Sequence, residues 1–369
     1  MSAKTILGLT MGDPAGIGPE TALRALGEPS ILAQCVPVLF GDAQIIRRFL
    51  SLKVLSSGAA QAQERTGKIL PWPCRVISLR QWQTCQTITA PLIVDSASAD
   101  LENIEPGRIS AACGKAAYGY IEEAIRAALA GKIDGIVTGP IHKEAMSLGG
   151  VKYPGHTEIF TALTGAQRSC MMLYSDQLTV SLVTTHVGYH EVPRRLSIDR
   201  VLDVIELSAE AMGWMLRRAP RIGVCGLNPH ADEHGLFGQS EEERFVAPAV
   251  SEAQRRGIDA TGPLAPDAAF TEGMRKRHDV IVCLYHDQGH IPFKMLAFDT
   301  GVNLTLGLPI IRASVDHGTA FDIAWQGKAN PTSLYSAIRV ATQLAVTRTS
   351  YTSPSSKESQ NDSLPNHPL

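Results

Sequence analysis

The chain has 369 residues, a length that suggests two domains or one large one. With 44% hydrophobic and 19% charged residues, it can bury a core and is not composed like a disordered protein. Its 34 basic and 36 acidic residues give a net charge of −2, which argues against nucleic acid or anionic membrane as the main partner, because both attract a basic excess.

Neither targeting nor membrane insertion is indicated by the sequence. No apolar run approaches the roughly 18 residues of a membrane span, and the first residues lack the basic region and cleavage site of a signal peptide. The seven cysteines form no Cys-x-x-Cys pair and lie mostly in apolar runs, which favours free buried thiols in a reducing compartment. We therefore expect a cytoplasmic protein.

Short apolar runs along the chain predict strands. None exceeds eight residues, and most are nearly continuously apolar, which is typical of a sheet covered on both faces. In chain order they are TILGLTM, PVLFGD, RVISL, LIVDS, GIVTG, CMMLYS, LTVSLVTT, RIGVCGL, DVIVCLY and VNLTLGL.

Longer amphipathic stretches between these runs predict helices. They cover about 110–130, 197–218 with Ser197 as the N-cap, 241–256 ending at Gly257, and 331–347. This alternation predicts an α/β fold with a largely parallel or mixed sheet. The Gln- and Ser-rich region 56–90 is expected to be surface elaboration, and the polar segment 349–369 a disordered tail.

The loop after the first strand is rich in glycine but carries no known nucleotide fingerprint. Neither G-x-G-x-x-G after that strand nor G-x-x-x-x-G-K-[ST] anywhere is present. The strand leads instead into GDPAGIGPE, residues 12–20, whose glycines permit close backbone approach. Such a loop either cradles a ligand at a helix N-terminus or is only a tight turn.

Six of the eleven histidines form three pairs at i,i+4 spacing, and each pair follows a predicted strand. The pairs are His186 and His190, His230 and His234, and His286 and His290. Ligands of α/β sheets bind beyond the strand C-termini, so one imidazole from each pair could share a divalent cation. Ordinary hydrogen-bonded histidines are the alternative. The HADEH segment is not a zinc-protease helix, and its flanking Pro229 and Gly235 predict a loop.

A second set of residues suits an anion. The segment PGHTE, residues 154–158, begins a predicted short helix with exposed N–H groups and a Thr hydroxyl. Lys294, Asn303 and Arg312 follow at spacings that fit a helix and then a strand, and both cations suit phosphate. Ordinary surface salt bridges are the alternative explanation.

These motifs together resemble the 4-hydroxythreonine-4-phosphate dehydrogenase family of vitamin B6 (pyridoxine) biosynthesis. The resemblance extends from about Ile6 to Val346. The motifs that carry it are GLTMGDPAGIGPE, GPIHKEAM, PGHTEIF, TTH, GLNPHADEHGLFG, GPLAPDAAF, YHDQGHIPFK and NLTLGLPIIRASVDHGTAFDIA.

The resemblance implies an isocitrate/isopropylmalate-dehydrogenase-like α/β fold with two domains, a cleft between them and mixed, mostly parallel sheets. On this basis residues 1–133 with 290–348 form the first domain, and residues 134–289 form the second, with the metal ligands and dimer contacts. It also implies an NAD-dependent oxidoreductase that uses one divalent metal ion, zinc, cobalt or magnesium. It further implies a cytoplasmic homodimer whose metal site is shared across the subunit interface.

The family's functional residues carry over position by position. Its metal ligands match His186, His230 and His286, one of them supplied by the neighbouring subunit. Its substrate-binding residues match His156, Thr157, Asp267, Lys294, Asn303 and Arg312. Asp287 and Lys294 are the candidates for acid–base catalysis, while no cofactor-binding residue is identifiable.

The implied reaction oxidises a phosphorylated hydroxy acid and then decarboxylates the β-keto intermediate to 3-amino-1-hydroxyacetone phosphate. The family also contains 4-phospho-D-threonate and 4-phospho-D-erythronate dehydrogenases of sugar-acid catabolism, which the motifs LYSD, HGLFG and GLPIIR favour. A cis-dihydrodiol dehydrogenase of aromatic degradation is less favoured, because PGHTE and Arg312 retain the anion set. A metallohydrolase and a non-catalytic metal- or phosphate-binding protein are the alternatives from other classes.

Overall fold

The computed structural model describes residues 4–52, 74–98 and 100–348. The described residues up to Arg168 form a first compact unit with Asp299–Ala345, and Ser169–Phe298 form a second with residues 346–348. The family resemblance predicts these boundaries at 133/134 and 289/290. The first boundary lies later because the strand that follows residue 133 pairs with two strands of the first unit. The predicted tail at 349–369 and residues 56–73 of the predicted elaboration lie outside the described residues.

Twelve strands are present in the described residues. They are β1 (Thr5–Thr10), β2 (Cys35–Gly41), β3 (Arg75–Ser78), β4 (Leu92–Asp95), β5 (Gly135–Thr138), β6 (Cys170–Tyr174), β7 (Thr179–Leu182), β8 (Ile222–Cys225), β9 (Ala260–Leu264), β10 (Val280–Cys283), β11 (Val302–Leu306) and β12 (Arg312–Val315). The first unit has the strand order β3-β4-β2-β1-β5-β12-β11, and the second has β6-β7-β10-β8-β9. Within the units, β11–β12 and β6–β7 are antiparallel and the other pairs parallel.

Helices alternate with these strands. The α-helices are Gly18–Gly27, Pro29–Leu32, Ala43–Ser51, Leu79–Thr84, Ala111–Leu129, Lys143–Leu148, His156–Thr164, Val192–Arg195, Ile198–Leu216, Ala247–Arg255, Pro266–Ala269, Glu272–Arg277, His286–Ala297 and Thr332–Arg348. Short 3-10 turns lie at Tyr189–Glu191, Pro229–Asp232 and Phe321–Ile323, and a π-helical turn at Glu242–Val246. The predicted α/β class with mostly parallel strands is confirmed.

All ten predicted strands are found, and two further strands were missed. β9, ATGPL, carries Gly and Pro and is only partly buried, so it lacks the apolar signal of its neighbours. β12, RASV, is fully buried yet contains Arg312 and Ser314. Burial of those polar side chains is decided by partners on other strands, which a local pattern does not reveal.

The predicted helices also form, and two begin at the expected kind of cap. Ser110 and Ser197 each accept a hydrogen bond from the backbone N–H three residues on. The helix predicted from Glu241 is interrupted, because Glu242–Val246 is a π-helical turn before the α-helix Ala247–Arg255. π-Turns are rare and often occur at functional sites.

The strands of the second unit pack against its helices. In the second unit, Leu173, Val180, Leu182 and Cys283 pack against Phe293 of the helix His286–Ala297, whose start is therefore held close to the sheet. All seven cysteines are free thiols and five are buried, as expected. No helix in the described part of the chain is long and apolar enough to cross a membrane.

Candidate functional site

Two of the predicted metal ligands meet beyond neighbouring parallel strands. His186 follows β7 and His286 follows β10, and these strands pair directly. The two imidazole ring centroids lie 5.7 Å apart. Two rings at this separation can present one nitrogen each to the same divalent cation.

The orientation of the His286 ring is determined by two neighbours. Nδ1 of His286 lies 2.7 Å from Oδ1 of Asp287, and the ring stacks on His290 with centroids 3.7 Å apart. His290 in turn places its own Nδ1 3.1 Å from the His286 carbonyl oxygen. With Nδ1 engaged by a carboxylate, the Nε2 atom of His286 is the one that can bind a metal.

His230 lies on a loop with an unusual backbone. Six successive residues, from His230 to Gly235, have positive φ angles between 46° and 86°, and five of them are not glycine. Left-handed backbone costs a non-glycine residue about 1–2 kcal/mol, so such a loop persists only where its surroundings hold it. The predicted loop is thus confirmed, and His230 is exposed on it.

Buried carboxylates hold the ends of this loop. Oε1 of Glu242, which is 2% exposed, accepts hydrogen bonds of 2.7 Å from the backbone N–H groups of both Leu227 and Asn228. The Asn228 side chain donates to Oε2 of Glu242 and of Glu241, at 3.0 Å each. Glu241 also accepts from the N–H of Gln239. Glu242 lies in the π-helical turn, which brings this side chain to the end of β8.

Gln288 links the ends of β8 and β10, the strands that precede His230 and His286. Its side-chain oxygen accepts from the N–H of Leu284, just after β10, and its amide nitrogen donates to the carbonyl of Gly226, just after β8. Both bonds are shorter than 3 Å and the side chain is buried. The segments that lead to His286 and to His230 are therefore held in a fixed position relative to each other.

The three predicted metal ligands do not form a single cluster within one chain. Among the residues that the structure describes, no group of three or more His, Cys, Asp or Glu side chains lies close enough to hold a metal ion. His186 and His286 are brought together, whereas His230 is not placed in a group with them. A pocket of about 230 Å³ adjoins the first two, lined by Thr185, His186, Val187, Tyr189, Val192, Tyr285, His286 and Asp287.

The first unit contains a buried guanidinium. Arg312 of β12 is 3% exposed, and its Nη1 and Nη2 donate to the hydroxyls of Thr305 and Thr138. Its Nε has no hydrogen-bond partner among the described residues, and its Cζ lies 5.5 Å from the Phe160 ring centroid. Burial lowers the pKa of Arg312 to about 9, an effect that the negative charge of Glu158 only partly opposes.

Two further predicted anion-binding residues lie in the same unit with unsatisfied polar atoms. Nε2 of His156 and Oδ1 of Asn303 are inaccessible to solvent, and neither atom has a hydrogen-bond partner in the part of the chain that the structure describes. Burial, together with the positive charges of Arg312 and Lys143, holds the pKa of His156 well below its usual value. His156 and Thr157 begin the helix His156–Thr164, as predicted. An uncompensated positive charge beside unsatisfied polar atoms suits an anionic ligand.

The other predicted site residues belong to the second unit. Lys294 lies in the helix His286–Ala297 with its Nζ 5.6 Å from the Phe298 ring centroid. Asp267 is exposed in the short helix Pro266–Ala269.

The glycine-rich loop after β1 is explained by packing. A Cβ atom added at Gly12 would overlap the Pro140 backbone, and one at Gly18 would overlap the Met11 carbonyl. Asp13 is fully buried in this loop, where its Oδ1 accepts from the N–H of Ala15 and its Oδ2 has no partner. Burial raises the pKa of Asp13 to about 6. Of the two alternatives left open by the sequence, a tight turn accounts for these glycines.

Comparison with known proteins identifies the family. The sequence pattern of the family described as "Pyridoxal phosphate biosynthetic protein PdxA" matches residues 33–341. The chain belongs to the PdxA family. It is 42% identical to a 4-hydroxythreonine-4-phosphate dehydrogenase of Geobacter metallireducens, over 91% of this chain and 94% of that protein.

Other relatives match at similar identity. The chain is 41% identical to a D-threonate 4-phosphate dehydrogenase of Cupriavidus necator, over 93% of this chain and 98% of that protein. A crystal structure of 4-hydroxythreonine-4-phosphate dehydrogenase from Klebsiella pneumoniae superposes with a TM-score of 0.77 at 38% identity, covering 93% of this chain and all of that one. The resemblance drawn from the motifs is confirmed at the level of the family.

Four residues that support these sites were not identified from the sequence: Thr138, Thr305, Glu242 and Gln288. Gln288 lies inside the motif YHDQGH, and its position two residues after His286 could have identified it as a supporting residue. The two threonines lie in apolar strands and Glu242 in a charged run, where nothing local distinguishes them from structural residues.

Proposed function

We propose that this PdxA-family chain is a metal-dependent, NAD-linked dehydrogenase that oxidises a phosphorylated hydroxy acid of the 4-hydroxythreonine 4-phosphate type. The observation that carries the proposal is Arg312, a buried guanidinium that no carboxylate pairs with among the described residues. Burying an unpaired charge costs several kcal/mol. The presence of such a charge at Arg312 therefore argues that it binds an anionic ligand. A guanidinium recognises phosphate through several N–H donors at once.

The phosphate would be bound by Arg312, His156 and Thr157, with Asn303 as a further polar contact. Each of the first two has a nitrogen without a partner, and Thr157 lies in the first turn of its helix. The helix N-terminus adds free N–H groups and a partial positive charge. These residues would hold the end of the substrate that does not react, and so orient the rest.

A divalent cation fits the histidine set in its donor chemistry. His186 and His286 lie together and Asp287 directs Nε2 of His286 outwards, so these residues would hold the ion with His230 as the third imidazole. When bound, such an ion supplies Lewis-acid polarisation of the substrate's hydroxyl and carboxylate oxygens. Three imidazoles favour zinc or cobalt over magnesium. We assign no residue to the dinucleotide.

Asp287 and Lys294 are the proposed acid–base residues. The Asp287 carboxylate already binds His286 Nδ1, which favours an orienting role for it. Lys294, seven residues further along the same helix, carries an ammonium group that would hold or release a proton near the substrate. Loss of CO₂ from a β-keto acid completes the proposed reaction.

A homodimer is part of the proposal, because three imidazoles are not grouped within one chain. The helix His286–Ala297 also exposes an apolar stripe that continues to its C-cap. Ile291, Met295 and Phe298 are 59%, 81% and 70% exposed. A second copy covering this stripe would lie next to the residues that follow His286 and could complete the metal site.

The experiment is the appearance of NADH at 340 nm with the purified protein, one added metal ion and each substrate in turn. 4-Hydroxythreonine 4-phosphate, 4-phospho-D-threonate, 4-phospho-D-erythronate and a cis-dihydrodiol are the four substrates. Turnover of any phosphorylated acid that is lost in His230→Ala and weakened in Arg312→Ala supports the proposal, and the preferred acid names the branch. No NADH with any phosphorylated acid would contradict it.

A further inference from the structure

Arg312 is held from both sides by neutral hydroxyl groups. Its Nη1 lies 3.0 Å from Oγ1 of Thr305, and its Nη2 lies 2.9 Å from Oγ1 of Thr138. Thr305 belongs to β11 and Thr138 to β5, the two strands on either side of β12. Both threonines are buried, at 4% and 0% exposure, so these contacts are shielded from water.

The chemistry of these acceptors matters for the charge. A buried arginine is usually paired with a carboxylate, which orients the guanidinium but also neutralises it. A threonine hydroxyl accepts the same hydrogen bond without adding charge. Arg312 is thereby oriented while its positive charge stays available.

The Nε edge of the guanidinium makes no hydrogen bond to any described residue. Nε has no partner, although it is buried and both terminal nitrogens are engaged. Nε2 of His156 and Oδ1 of Asn303, buried in the same unit, are also unpartnered. A guanidinium whose terminal nitrogens are held by the strands can offer its Nε side to an oxyanion in one orientation only.

We propose that Thr138 and Thr305 are positioning residues of the phosphate site, which orient Arg312 for a phosphate group and leave its charge unpaired. The inference rests on the proposed function, in that it takes the anion to be the substrate's phosphate. On this proposal, the affinity for phosphate depends on the two threonines that orient Arg312 as well as on Arg312 itself.

The test uses the full-length protein with Thr138→Val, Thr305→Val and the double variant, each of which replaces a hydroxyl by a methyl of similar volume. Inorganic phosphate is titrated calorimetrically, and KM and kcat are measured with the phosphorylated acid that the wild type turns over. Thr10→Val is the matched control: Thr10 is equally buried in β1, and its hydroxyl accepts from the Gly139 N–H rather than from Arg312. Thr138→Ser and Thr305→Ser keep the hydroxyl.

We expect each Val variant to weaken phosphate binding and raise KM about tenfold, the double variant to exceed either, and kcat to change less than about threefold. The Ser variants should restore both constants and Thr10→Val should change neither. Wild-type affinity for phosphate in the Val variants, or equal losses in Thr10→Val, would overturn the inference alone. A wild-type protein that neither binds phosphate nor oxidises a phosphorylated acid would overturn the proposed function, and this inference with it.

If a Val variant unfolds, the corresponding Ser and Ala variants distinguish a positioning role from a purely structural one. Ala removes the hydroxyl without placing a methyl group against the guanidinium. Weakened phosphate binding in Ala with recovery in Ser supports a positioning role. A lowered melting temperature in Ala with unchanged phosphate affinity shows a purely structural one and refutes the inference.

Discussion

Nδ1 of His286 lies 2.7 Å from the Oδ1 atom of Asp287, the next residue in the chain. A carboxylate at this nitrogen favours the tautomer that carries its proton on Nδ1, which leaves the Nε2 lone pair for a cation. The arrangement occurs at the first residue of the helix His286–Ala297, where the helix start determines the ring position.

Replacing Asp287 by Ala should therefore lower the affinity for a divalent metal about 10- to 100-fold, because the ring loses both its tautomer preference and its orientation. Competition with a chelating dye measures this without reference to turnover. Asp199→Ala, which removes an exposed carboxylate elsewhere in the same unit, is the control. Equal metal affinities in the two variants would show that Asp287 does not orient His286.

Replacing Arg312 by Met should raise the melting temperature slightly or leave it unchanged, since the variant no longer buries a charge without an acidic partner. The same change should abolish the stabilisation by added phosphate and raise KM for the phosphorylated substrate by about 100-fold or more. Thermal unfolding with and without phosphate, beside steady-state kinetics, tests both parts. A large loss of stability without ligand would mean that Arg312 is mainly a structural residue.

Asp13 should make the stability of the protein depend on pH. Its pKa is raised from 3.8 to about 6 by burial, so the folded state binds an extra proton between these pH values. The free energy of unfolding should fall as the pH rises through this window, by up to about 3 kcal/mol relative to Asp13→Asn. Urea unfolding of both proteins from pH 4 to 7 measures the difference. Parallel pH profiles would place the pKa of Asp13 near its ordinary value.

Glu242→Ala should destabilise the protein by about 3 kcal/mol, because it leaves the N–H groups of Leu227 and Asn228 without an acceptor. It should also weaken metal binding through His230, whose left-handed loop these contacts hold. Glu242→Gln retains one oxygen for both N–H groups and should lose less stability. Denaturant unfolding and chelator competition give the two values, and unchanged metal affinity in Glu242→Ala would refute the link to His230.

Met295→Glu should convert the proposed dimer to a monomer, because a charge replaces an apolar side chain that is 81% exposed in one chain. Metal affinity should fall with it if the metal site is shared. Sedimentation and chelator competition test these outcomes together. Leu148→Glu alters a similarly exposed apolar residue of the first unit and should change neither. If the Met295→Glu variant remains a dimer, the dimer interface does not include Met295.

Much of the fold could be predicted from local pattern. Continuous apolar runs identified ten of the twelve strands that the described residues form, since burial on both sides of a sheet demands apolar side chains at successive positions. The cap at Ser197 could be predicted for a similar reason, because a helix start needs an acceptor for its free N–H groups. The strand-end histidines and the anion-binding residues were identified as candidates by residue type and spacing, and the family by its motifs.

Only the tertiary structure decided which of these residues meet. It placed His186 beside His286 but not His230, and it put Arg312 between two threonines of neighbouring strands. It also brought Glu242 of a π-helical turn to the loop that carries His230. Sequence spacing encodes local periodicity, whereas these contacts join residues up to 174 positions apart and depend on strand order. The amino-acid sequence by itself therefore determines the secondary-structure elements and the available chemical groups. The packing of the strands and helices determines which of these groups lie close enough to act together.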